Sequence, residues 1–133
     1  MTSFDHVGVI VRDLEVTEKF YCDVFGAVVQ SKPSSKFLEM TIGGARFHFL
    51  KDLNKQVSPE AFSHICIAVD SLDRLEEIRA TATKSPYADN LNLQIINSPP
   101  QSDLGNAQVE QYPPLKTLYL KDPNHLMVEV RVY

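Results

Sequence analysis

The sequence predicts an α+β fold of two tandem β-α-β-β-β units that form a curved sheet around a metal-containing cavity. Three observations predict it. The run Asp5-His6-Val7-Gly8-Val9-Ile10-Val11-Arg12-Asp13-Leu14 lines up without a gap on Ser63-His64-Ile65-Cys66-Ile67-Ala68-Val69-Asp70-Ser71-Leu72, and the match continues where Glu18 meets Glu76 and Phe20 meets Ile78. Each copy keeps a histidine at the same place in an apolar run. A third apolar run, Leu126-Met127-Val128-Glu129-Val130, encloses a carboxylate near the C-terminus. Two imidazoles and a carboxylate carried on strands are a common ligand set for a divalent metal with open coordination positions.

The elements follow in order. Phe4 to Val11 is β-rich and bounded by polar residues, so it reads as a strand. From Asp13 the period changes: Leu14, Thr17, Phe20, Tyr21 and Val24 recur at three- and four-residue steps, and Gly26 follows as a helix stop. Ala27 to Gln30 is a short strand. Lys32-Pro33-Ser34-Ser35 reads as a turn, and Phe37 to Ile42 as the next strand. Gly43-Gly44 makes a tight turn into Ala45 to Leu50. The second half repeats this order with a strand from Phe62 to Val69, a helix from about Leu72 to Ala82, and a strand from Leu91 to Ile96. Two last strands, Thr117 to Lys121 and Leu126 to Val132, are joined by Asp122-Pro123-Asn124-His125. The chain therefore reads as one domain, 1–133, of two units at about 1–52 and 60–133, with a linker at roughly Asp52 to Ala61.

Period-two alternation assigns the faces. Val7, Val9 and Val11 oppose His6, Gly8 and Ile10. Ile65, Ile67 and Val69 oppose His64, Cys66 and Ala68. Leu126, Val128, Val130 and Val132 oppose Met127, Glu129 and Arg131. The wholly aliphatic faces suit packing against a helix. The opposite faces carry His6, His64 and Glu129 beside small residues that leave room for a ligand.

Composition bounds the function. With 133 residues the chain can bury one good core. Its net charge of −4 is mild, and no Lys/Arg cluster suggests a nucleic-acid partner. No run approaches the ~20 apolar residues of a membrane helix, and the first five residues are no signal peptide, so a cytoplasmic location is expected. Cys22 and Cys66 fall in an expected helix and an expected core strand, and read as reduced packing residues rather than a disulfide framework.

The duplicated β-α-β-β-β units, each opening with His-apolar-x-apolar, and the ending Asp122-Pro123 to Glu129 resemble the vicinal oxygen chelate superfamily. That group includes glyoxalase I, extradiol dioxygenases and bleomycin- and fosfomycin-resistance proteins. The carrying segments are DHVGVIVRDLEVTEKFYCDVFG, SHICIAVDSLDRL and LYLKDPNHLMVEV. The resemblance covers essentially the whole chain. It implies metal ligands on the first and last strand of each unit, and His6, His64 and Glu129 match three of those four positions. The fourth falls in Ala45 to Leu50, where His48 stands at a place often held by glutamate. His48 is therefore a fourth ligand, a catalytic acid/base or a structural residue. Arg46 and Arg131 flank His48 and Glu129 and could bind an anionic substrate or form ion pairs at the rim. Two departures stand beside the resemblance. The potassium- and phosphonate-binding motifs of fosfomycin-resistance members are not evident. The full histidine complement of extradiol enzymes is also missing, although Tyr119 stands ten residues before Glu129 as their active-site tyrosine does.

Three function classes follow. The first is a metal-dependent lyase or isomerase of the glyoxalase type, using zinc, nickel, manganese or iron(II) to polarise a small substrate through vicinal oxygens, with Glu129 or His48 moving the proton. The second is an extradiol-type Fe(II) dioxygenase. The third is an antibiotic-binding or resistance protein without turnover. No nucleic-acid or membrane partner is expected. The resemblance implies a homodimer, because short two-unit chains in this group often build the cavity from different subunits.

Ser98 to Pro114 is the largest insertion in one half relative to the other, with paired prolines at both ends. Loops of this length in compact domains are usually functional or disordered, and this one is expected to cover the cavity mouth and set substrate choice. Replacing Asp103 to Gln108 with a short Gly-Ser link should lower ligand affinity or turnover while folding and metal binding persist. Unchanged ligand affinity in that variant would reduce the loop to a connection.

Overall fold

The computed structural model describes residues 2–54, 64–84, 94–96 and 117–132. The chain divides into two compact units, Met1–Val57 and Ser58–Tyr133, each built around its own sheet. Unit 1 contains β1 (Val7–Val11), α1 (Leu14–Phe25), β2 (Val28–Ser34), β3 (Phe37–Ile42) and β4 (Ala45–Lys51). Unit 2 contains β5 (His64–Val69), α2 (Leu72–Ala82), β6 (Gln94–Ile96), β7 (Thr117–Lys121) and β8 (Met127–Val132). The α+β class and the β-α-β-β-β order are those the sequence predicts. The 98–114 loop, residues 55–63 of the linker region and residues 91–93 lie outside the described residues.

The helix α1 begins where Asp13, in extended backbone, accepts from the Glu15 and Val16 amides at 2.9 and 3.1 Å, the standard satisfaction of orphan donors at a helix start. Thr17, Phe20, Tyr21 and Val24 are its buried stripe, the i, i+3, i+4, i+7 pattern of a helix lying on a sheet. It ends at Gly26, whose φ of 68° is left-handed and costs glycine little. In unit 2, Ser71 caps α2 by accepting from the Arg74 amide at 3.2 Å, and Leu75, Ile78 and Ala82 are its buried residues.

The two sheets share one topology. Unit 1 has strand order β1-β4-β3-β2 and unit 2 has β5-β8-β7-β6. The first and last strands of each unit pair in parallel, and the remaining pairs are antiparallel. Leu38, Met40, Ile42, Phe47 and Phe49 are buried in unit 1, and Leu118, Leu120, Val128 and Val130 in unit 2. The Tyr21 ring of α1 meets Phe49 of β4 with centroids 5.4 Å apart. One face of each sheet thus packs on its helix, and the alternate residues stand on the other face.

Two expected boundaries shift by more than one residue. The first strand begins at Val7 rather than Phe4; in the parallel register Phe4 falls opposite Gly44, in the turn before β4, and its side chain is highly exposed. His6 therefore stands just outside the ladder. The strand β2 continues through Pro33 to Ser34, and the turn falls at Ser35-Lys36 instead. An edge strand tolerates proline, which has no N–H to give, and β2 is the edge of its sheet.

The β7–β8 turn is held from inside. Buried Asp122 accepts from the Asn124 and Leu126 amides, each at 2.8 Å, and its own backbone pairs with Leu126 and His125. His125 adopts a left-handed φ of 65°. Asp122→Ala leaves two donors without their acceptor and is expected to destabilise the protein by about 1–3 kcal/mol, the usual cost of orphaned buried groups. The denaturant midpoint checks this, and an unchanged midpoint would show that water replaces the carboxylate.

Candidate functional site

Strand register aligns the candidate residues of the two units. In unit 1, Gly8 of β1 is the partner of His48 on β4, and Glu39 of β3 is the partner of His48 on its other side. In unit 2, Cys66 of β5 is the partner of Glu129 on β8, and Tyr119 of β7 is the partner of Glu129 on its other side. His6 and His64 each stand two residues before the first of these partners. His48 thus occupies in unit 1 the place that Glu129 occupies in unit 2, and Glu39 occupies the place of Tyr119.

Unit 2 gathers its polar groups around a buried carboxylate. Glu129 is only 3% exposed. Its Oε2 lies 3.1 Å from His64 Nε2, and its Oε1 lies 2.7 Å from Arg131 Nη2. Tyr119 is its register partner on β7, and burial followed by the Glu129 charge pushes the phenol up to about 12. Tyr119 is consequently a neutral hydrogen-bond donor across the working pH range of proteins. Burial, then the same carboxylate, raises the Cys66 thiol. Cys66 is free and exposed on the polar face, not the packing residue expected from its strand. The sequence leaves Arg131 between anion binding and ion pairing; here it ion-pairs with Glu129.

Unit 1 is more open. His6 Nδ1 meets Asp5 Oδ2 at 2.7 Å, and Asp5 Oδ1 meets Arg46 Nη1 at 3.3 Å. The His6 contact first, and the Arg46 guanidinium second, hold the Asp5 carboxyl below the usual range. Arg46 Nε also lies 3.4 Å from Glu39 Oε1. The rings of His6 and His48 stack with centroids 3.9 Å apart and planes at 21°, and Phe37 meets His48 edge-on at 5.0 Å. His48 Nε2 is buried and makes no hydrogen bond among the described residues; Glu39 Oε2 is 3.7 Å away, beyond hydrogen-bond reach.

A metal fits part of this arrangement. Donors bound to one tetrahedral zinc at about 2.1 Å stand about 3.4 Å from each other, and His64 Nε2 and Glu129 Oε2, 3.1 Å apart, are near that spacing. Among the described residues no group of three or more His, Cys, Asp or Glu side chains is placed to hold a metal ion. Each unit by itself brings together a pair of the expected ligands: His6 with His48, and His64 with Glu129.

Asp5 and Glu39 are polar partners that reading the sequence does not single out. The signal for Glu39 was available, since a two-residue Gly43-Gly44 turn pairs Ile42 with Ala45 and therefore Glu39 with His48.

No curated protein matches the sequence. The Glyoxalase/Bleomycin resistance protein/Dioxygenase superfamily matches residues 3–130. The fold is similar to that of the fosfomycin resistance protein FosX from Listeria monocytogenes, with a TM-score of 0.67 at 18% identity, covering 100% of this chain and 94% of that one. A mutant of that Listeria protein complexed with Mn(II) and 1S,2S-dihydroxypropylphosphonic acid is similar at a TM-score of 0.67 and 18% identity, over 98% of this chain and 90% of that one. Lactoylglutathione lyase from Agrobacterium tumefaciens is similar at a TM-score of 0.65 and 15% identity, over 99% and 94% of the two chains. At these identities the likeness is one of fold. No helix among the described residues is long and apolar enough to cross a membrane.

The buried Glu129–Arg131 pair generates a test. Arg131→Met leaves a buried carboxylate with one charge partner fewer and is expected to cost up to about 3–5 kcal/mol. Adding Glu129→Gln to Arg131→Met should recover part of that loss, because the charge that needed a partner is gone. Denaturant unfolding of the single and double variants checks both. If the double variant is no more stable than Arg131→Met, the guanidinium acts through packing alone.

Proposed function

The chain belongs to the Glyoxalase/Bleomycin resistance protein/Dioxygenase superfamily, and on that premise we propose that it is a metal-dependent enzyme of the glyoxalase type. Its substrate is a small molecule presenting two neighbouring oxygens, and its chemistry is that of a lyase or isomerase. The observation that carries this reading is the His64–Glu129 pair, two ligand types in contact at 3.1 Å with a register equivalent in the other unit.

In this proposal His6, His64 and Glu129 hold one divalent ion, zinc, nickel, manganese or iron(II), and His48 is a fourth ligand or the group that moves a proton. Bound there, the ion would supply Lewis acidity to the substrate oxygens. Holding the ion would need the His64 Nε2 lone pair, so the hydrogen in its contact with Glu129 Oε2 would lie on Nδ1 instead. His48 Nε2, buried and without a hydrogen bond, is suited to take a proton from a carbon acid and return it. Arg131 holds Glu129 in place at 2.7 Å, and with Tyr119 it offers donors to an anionic substrate group. We place the ligands in a homodimer, with His6 and His64 contributed by one chain or by two.

A second reading is an extradiol-type Fe(II) dioxygenase, favoured by the neutral Tyr119 hydroxyl against Glu129. It predicts oxygen consumption with a catechol. Ligand binding without turnover of either kind would instead mark a sequestering protein.

Metal analysis and thermal melts test the proposal. His6→Ala and His64→Ala should each lower metal stoichiometry and the metal-dependent rise in melting temperature, since a ligand that binds only the folded state stabilises it. Mixing the two variants should restore some intact sites if the ligands come from different chains. Unchanged metal content in both single variants would sink the idea.

A further inference from the structure

His6 is the one expected ligand that its sheet does not hold. The strand β1 starts one residue later, and Asp5, its polar partner, is 68% exposed. An exposed contact between neighbouring residues is weak and easily exchanged for water. What distinguishes this contact is its support. The Arg46 guanidinium rises from β4, two residues from His48 on the same face, and its other edge meets Glu39, whose side chain is only 22% exposed. A planar fork of fixed donors can hold two carboxylates in one geometry. The restraint therefore runs from Glu39 in the sheet, through Arg46, to Asp5 and on to His6.

We propose that Arg46 is a positioning residue: by bracing Asp5 against Glu39 it keeps Asp5 on His6 Nδ1, so that His6 presents Nε2 as its ligand atom. This rests on the reading of His6 as a metal ligand. A carboxylate can only accept, so the hydrogen in the 2.7 Å contact belongs to Nδ1, and the neutral ring then carries its lone pair on Nε2. The sequence of unit 2 differs at these positions. Ser63 stands where the repeat would put Asp5, and Met127, not an arginine, is the register partner of His64. There the histidine meets its carboxylate through Nε2 instead. The carboxylate thus meets Nδ1 in one copy of the motif and Nε2 in the other, and Arg46 serves orientation rather than substrate binding.

Nitrogen NMR of the metal-free protein, labelled at histidine, reports which ring nitrogen carries the hydrogen. The unaltered protein should show His6 with its hydrogen on Nδ1. Asp5→Ala and Arg46→Met should both move His6 toward the Nε2–H form that free imidazole prefers in water, and leave His64 unchanged. With zinc(II) alone, each variant should bind about 10- to 100-fold more weakly, the usual consequence of losing a ligand's outer partner, and the double variant no more weakly than Asp5→Ala. Arg46→Lys, which keeps the charge but not the fork, should not restore the affinity. If Arg46→Met fails to fold, Glu39→Gln removes the anchor and carries the same expectations. A His6 hydrogen on Nε2 in the unaltered protein would overturn the proposal, as would an unchanged tautomer in Arg46→Met. An Nδ1–H His6 in a protein that binds no zinc would sink the metal reading and still uphold the brace.

Discussion

In each unit the first and last strands run side by side in the same direction, and the placement of every candidate site residue follows from that pairing. Parallel neighbours cannot be joined by a tight turn; the chain must cross over, and here it does so through a helix and a hairpin. The helix covers one face of the sheet, which commits that face to Phe, Leu, Met and Val. The alternate residues of the same strands are then left on the other face, and the register brings His48 beside Gly8 and Glu129 beside Cys66. Small residues at positions 8 and 66 matter for that reason: they flank the functional side chain without filling the space in front of it.

The repeat is a repeat of positions, not of chemistry. Unit 2 puts its carboxylate on the last strand, buries it, and surrounds it with a guanidinium, an imidazole and a phenol. Unit 1 puts an imidazole on the last strand and moves the carboxylate one strand over, to Glu39. A carboxylate buried between apolar strands is costly unless it is paired or bound to metal, and Glu129 is paired, to Arg131 at 2.7 Å. Burial alone therefore does not demand an ion at Glu129. The 3.1 Å between Glu129 and His64 suits a hydrogen bond as well as a shared ion.

The fold was legible because its signals are local. Asp13 and Ser71 precede apolar residues at helical spacing, Gly26 closes the first helix, and Gly43-Gly44 closes a hairpin; each of these is decided within a few residues of chain. The α2 boundaries, Leu72 and Ala82, were readable to the residue. Pro33 misled, because its usual exclusion from strands does not hold at a sheet edge, and edge position is a property of the whole sheet. Of the site, the repeat made His6 and His64 visible and alternation made Glu129 visible. Asp5 and Glu39 were harder to see. A carboxylate next to a histidine in sequence, or opposite one across a hairpin, gains meaning only when a third group such as Arg46 joins them.

The irregular course of β2 bears on how this protein behaves at high concentration. An open sheet edge is a template on which a strand from another molecule can add, and a flat, well-registered edge is the worst case. Here the edge strand slips register twice, between Val29 and Ser31 and again between Ser31 and Ser34. It also carries Pro33, which has no amide hydrogen to offer, and Lys32, which ion-pairs with Glu18 of the helix. A foreign strand would find neither a continuous row of donors nor a neutral surface along this border. The same kinks that made the segment look like a turn give the sheet a border that resists growth into fibrils.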